Sequence, residues 1–144
     1  RQPIHVTKQV DPSRLRGLES VEKSHAGLER LARARALMGM DETLTEQADS
    51  MEKYCRIASG DAEVYMRLPR LGSTRPHNIW DHAPGVAILE AAGGKATDVD
   101  GSPLDFSTGR ALNNYGVIAT NGAVHDLAVQ AVQALLKEEA TATG

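Results

Sequence analysis

The sequence holds a single cysteine, Cys55, among its 144 residues. One thiol excludes an internal disulfide and a cysteine-based zinc site, and it suits a reducing compartment. No apolar run reaches the roughly 18 residues of a membrane span, and the opening RQPIHVTKQV carries no signal-peptide core. Charge of one sign is also lacking: the formal net charge is −3, too little to draw nucleic acid or anionic lipid by its global field. The expectation is a soluble chain with no nucleic-acid and no membrane partner, cytosolic by default, in which any anion site is local.

Familiar fingerprints are missing as well. There is no Gly-x-x-x-x-Gly-Lys-Ser/Thr loop, no Gly-x-Gly-x-x-Gly after a strand, and no Gly-x-Ser-x-Gly elbow, so P-loop, dinucleotide and serine-hydrolase chemistries lose their usual support. No internal repeat, linker or second domain stands out. The first residue is Arg1 rather than Met, and alternation starts at once in PIHVTKQV, so the chain reads as a piece of something longer. Its length fits one domain able to bury about two-thirds of its unfolded surface.

Among the features present, Ile4, Val6 and Val10 alternate as in a strand, and DPSR supplies turn chemistry. AGLERLARARALM, 26–38, predicts a helix with a basic outer face, stopped by Gly39. DSMEKYCRIASG predicts a short helix with Met51, Tyr54, Cys55 and Ala58 on its apolar stripe and Gly60 as its stop. AEVYMRL predicts a strand with Val64, Met66 and Leu68 on one face and Tyr65 and Arg67 on a polar one. A helix is expected from about Asp81 to Ala92, with Pro84 in its first turn and Gly93-Gly94 after it. KATDVDGSPLDF suggests a hairpin around Asp100-Gly101, YGVIAT a buried strand and Asn121-Gly122 a turn. The final helix carries Val124, Leu127, Ala128, Ala131, Val132, Leu135 and Leu136 as its stripe, leaves His125 and Gln133 outside it, and gives way to a tail over 140–144. Strands alternating with helices place the chain in the α/β class, a sheet flanked by helices.

Cationic residues offer the best chemistry. Ser50 and Lys53 lie one turn apart at a helix start, where a hydroxyl, an ammonium and free backbone N–H groups can converge on an anion. Arg67 adds a planar fork from the next strand. A cap plus two solvated bases is the plainer reading. His25 either contacts a ligand or sits exposed before its helix. Asp81 either caps its helix or ligates a metal, and a lone carboxylate cannot hold magnesium without further oxygens.

Three stretches, SVEKSHAG at 20–27, DSMEKYCRIASGDAEVYMRLP at 49–69 and IWDHAPGVAILEAAGGKATDVDGSPLDF at 79–106, carry more than spacing. Together they resemble the C-terminal half of 3'(2'),5'-bisphosphate nucleotidases, members of the lithium-sensitive, magnesium-dependent phosphatase superfamily that includes inositol monophosphatases. The likeness covers about Pro3 to Leu136. It implies the C-terminal domain of that layered fold over 1–139, and a full-length enzyme that hydrolyses the 3'-phosphate of adenosine 3',5'-bisphosphate to AMP and phosphate. It also implies a Mg2+ ligand at Asp81, which matches the aspartate of the WD motif, and substrate-binding positions at His25, Ser50, Lys53, Arg67 and Asp81. Inositol monophosphatase relatives carry an acidic residue near the Arg67 position, so Arg67 favours a nucleotide. The superfamily's upstream metal ligands, a glutamate-rich segment and a DPIDGT-like motif, do not occur in these residues. The resemblance therefore implies a missing N-terminal half as the partner and an inactive chain on its own; a non-catalytic nucleotide-binding module and an inositol phosphate phosphatase fragment are the alternatives.

Overall fold

A computed structural model describes residues 5–19, 25–48, 50–68, 83–102 and 117–143. Strands β1 (Gly17–Glu19), β2 (Glu46–Gln47), β3 (Val64–Arg67), β4 (Lys95–Thr97) and β5 (Val117–Thr120) form one mixed sheet in the order β2-β1-β3-β5-β4. β1 runs parallel to β2 and β3, while β5 is antiparallel to β3 and β4. Helices α1 (His25–Met38) and α4 (His125–Thr143) cover one face; α2 (Ser50–Ala58) and α3 (Ala83–Ala91) cover the other.

Alternation along the central strands builds both cores. Val64, Met66 and Ile118 point to α1 and α4, where Leu31 of α1 and Ala128, Val132 and Leu135 of α4 meet them. Tyr65, Val117 and Ala119 point to α2 and α3 and pack with Tyr54, Ile57, Val86 and Leu89. The outcome is a three-layer α/β/α arrangement, the expected class.

Several expectations need correction. Residues 5–10 add no strand to the sheet: Val6 N–H donates to Ala92 C=O (3.1 Å), and Asn121 Nδ2 donates to Thr7 Oγ1 (3.1 Å) and Gln9 C=O (3.0 Å). The segment is a strap, and Val10 is 63% exposed. α1 stops at Gly39 as expected, because its φ of +87° suits glycine. Its basic face is not all outward, however. Arg35 is buried and forks onto Glu42 (2.6 and 2.8 Å) and Glu19 (3.0 Å), tying α1 to β1. α4 continues through Thr143, where the sequence suggests a tail over 140–144, and Arg30 and Arg33 of α1 pair with Glu139 and Glu138 on it.

His125 is the largest departure, since it lies in the core rather than outside the α4 stripe. Its Nε2 is 2.8 Å from Thr97 Oγ1 and its Nδ1 is 2.9 Å from Thr120 Oγ1. Thr97 already donates to Asp98 C=O, and Thr120 already accepts from Gly122 N–H. The network therefore assigns the neutral ring with its proton on Nε2, and Thr120 donates to Nδ1. Burial pushes the pKa down to about 4, helped by Lys95 and opposed by Asp126. An unfolded His125, near 6.5, takes up a proton that the folded one refuses, so stability is full above that value and falls as the pH drops toward the folded pKa. Denaturant melts should show a loss of about 2 kcal/mol from this group between about pH 7 and about pH 5, and His125→Gln should flatten that slope.

Candidate functional site

α2 and β3 supply the site. Ser50 is the first residue of α2 and His25 the first of α1. Lys53 lies one turn into α2 and is buried, 3% exposed. The face that α2 turns inward carries Lys53, Tyr54, Ile57 and Ala58, whereas Cys55, expected in the core, is exposed. A buried polar residue on the inner face is what displaced the stripe by one position.

The supposed polar face of β3 is also enclosed, with Tyr65 fully buried. Lys53 Nζ donates to Tyr65 Oη at 3.2 Å and lies 4.3 Å from the centre of its ring. Tyr54 meets Tyr65 edge to face, with centroids 5.8 Å apart and planes at 78°. Arg67 stands two residues beyond Tyr65 and so shares its side of the strand. Its Nε is buried with no hydrogen-bond partner among the described residues. Burial drives the Tyr54 hydroxyl pKa up, Tyr65 adds to this, and the Arg67 charge opposes it. The structure thus brings Lys53 and Arg67 to one side of β3, around a pair of tyrosines that sequence reasoning did not single out as site residues.

Gly85 of α3 explains how Tyr54 fits. A Cβ at this position would lie 2.4 Å from Tyr54 Cδ2, so only glycine allows α3 to close onto the ring. Gly94 is similar, since a Cβ there would lie 2.3 Å from Leu89 Cδ1 and 2.8 Å from Thr120 C=O. Gly85 of WDHAPG and Gly94 of EAAGG therefore serve close packing, whereas Gly93 serves its φ of +96°.

Asp81, together with Trp80 and His82, lies outside the described residues, and so do the side chains of His25 and Ser50. Among the described residues no group of three or more His, Cys, Asp or Glu side chains comes together to hold a metal ion. Magnesium prefers about six oxygen ligands; the described residues do not make such a site by themselves. No helix among them is long and apolar enough to cross a membrane.

The sequence profile of the inositol monophosphatase family matches residues 2–137. The chain belongs to that family. A 3'(2'),5'-bisphosphate nucleotidase 1 of Candida albicans is 40% identical over 95% of the chain, and a 3'(2'),5'-bisphosphate nucleotidase of Oryza sativa is 38% identical over 96%. The chain spans 38% of the length of each of these relatives. Among solved structures, an IMPase of Thermotoga maritima superposes with a TM-score of 0.69 at 19% identity, over 95% of this chain and 47% of that one. An inositol monophosphatase of Anabaena gives 0.64 at 24%, over 92% and 48%. The family's fold is thus the fold seen here, in part of its length.

Proposed function

We propose that residues 1–139 are the C-terminal, nucleotide-binding domain of a 3'(2'),5'-bisphosphate nucleotidase, with an N-terminal half as partner. The full-length enzyme hydrolyses the 3'-phosphate of adenosine 3',5'-bisphosphate and releases AMP. The observation that carries this reading is the placement of Lys53 and Arg67 on one side of β3, with Arg67 Nε buried and unpartnered among the described residues. A substrate with a second, non-reacting phosphate needs fixed positive charge, and a guanidinium fork beside an ammonium supplies it. The names of the relatives support the same reading.

His25, Ser50, Lys53 and Arg67 bind the nucleotide in this proposal. Asp81 contributes one ligand to Mg2+, whose other ligands come from the partner half. The ion supplies charge neutralisation at the transferring phosphoryl group. The chain's own residues hold the substrate in place for it.

A phosphate-release assay on the full-length enzyme tests the reading with adenosine 3',5'-bisphosphate and inositol monophosphate side by side. The bisphosphate should be favoured in kcat/KM by at least about tenfold, equivalent to about 1.4 kcal/mol. Preference for inositol monophosphate would assign the chain to the alternative phosphatase. Nucleotide binding without turnover would make it a binding module.

A further inference from the structure

Resting on that reading, we infer that Tyr65 is a positioning residue that holds the Lys53 ammonium ready for the non-reacting phosphate of the substrate. A lysine stem is flexible, and an ammonium is a point charge without preferred direction. Tyr65 removes both freedoms. Its oxygen accepts from Nζ at 3.2 Å, while its ring lies under the same cation at 4.3 Å. Lys53 and Tyr65 are both buried.

The tyrosine is itself fixed. Tyr54 abuts its ring edge to face at 5.8 Å, and Gly85 leaves the space that Tyr54 fills. The start of α3, the inner face of α2 and the middle of β3 therefore meet through two aromatic rings. An ammonium ordered before binding needs no ordering during it, which strengthens ligand affinity. Lys53 acts on a phosphate that does not react, so the effect belongs in KM and not in kcat.

A double-mutant cycle on the full-length enzyme separates this role from packing. Tyr65→Phe keeps the ring and removes the oxygen; Lys53→Met keeps the stem and removes the charge. Tyr65→Phe should raise KM for adenosine 3',5'-bisphosphate about tenfold with kcat within about twofold. In the Lys53→Met background the same change should alter KM by less than about twofold. Calorimetric affinity for AMP gives a second readout with the same pattern. An equal KM loss from Tyr65→Phe in both backgrounds would overturn the inference, as would an unchanged KM in Lys53→Met. If wild-type enzyme prefers inositol monophosphate, the nucleotide reading fails. That substrate carries no non-reacting phosphate, so the inference falls with the reading, whereas preference for the bisphosphate with an additive cycle sinks the inference alone.

Discussion

Arg67→Ala in the full-length enzyme is expected to lower kcat/KM for adenosine 3',5'-bisphosphate by about 10²- to 10³-fold. Arg67 ends β3 on the side that faces α2, and strand pairing with Val117 fixes its backbone. Its buried Nε has no partner among the described residues, and a buried donor left unmade is costly until something accepts from it. A phosphate oxygen would satisfy it and add charge attraction. Arg67→Lys keeps the charge and loses the fork, so it should recover only part of the activity. Steady-state kinetics on the three proteins checks this, and wild-type kcat/KM in Arg67→Ala would contradict it.

Arg16→Ala should destabilise the fold by about 3 kcal/mol, measured by denaturant unfolding. Glu63 is 1% exposed. It accepts from Arg16 backbone N–H (2.8 Å), Arg16 Nε (3.1 Å), Arg16 Nη2 (2.7 Å) and Thr7 Oγ1 (2.9 Å). Removing Arg16 leaves a carboxylate buried with its main partner gone. The Arg16 side chain is 41% exposed, so water softens the loss to the lower end of the range for buried pairs. Burial raises the Glu63 pKa, but the hydrogen bonds from Arg16 and Thr7 and the Arg16 charge outweigh it and bring the value below 4.5. A depressed carboxyl pKa contributes stability above the unfolded value that is lost as pH falls through the folded one. Arg16→Ala should therefore also weaken the acid dependence below about pH 4.5.

Elements with clear stops could be read from the sequence. α1 and α2 end where Gly39 and Gly60 take positive φ, and β5 is the short apolar run VIAT buried throughout. Faces were harder, because hydropathy does not register a polar side chain whose partners come from distant segments. His125 is buried because Thr97 and Thr120 receive it; Arg35 is buried because Glu19 and Glu42 do. Alternation in residues 4–10 suggests a strand, but the described part of that segment spends its hydrogen-bonding groups on Ala92, Glu63 and Asn121 instead of the sheet. At the site, residue chemistry already grouped Ser50, Lys53 and Arg67 as a candidate anion site beside the plainer reading of a cap and two solvated bases. Resemblance favoured the first, and the tyrosines beside Lys53 emerged only from the packing of α2 on β3.

Product identity tests the central claim most directly. Full-length enzyme given adenosine 3',5'-bisphosphate and magnesium should yield AMP carrying the 5'-phosphate and one phosphate per turnover, resolved by chromatography of the nucleotide products. Adenosine 3'-phosphate as the product, or intact bisphosphate beside hydrolysed inositol monophosphate, would contradict it.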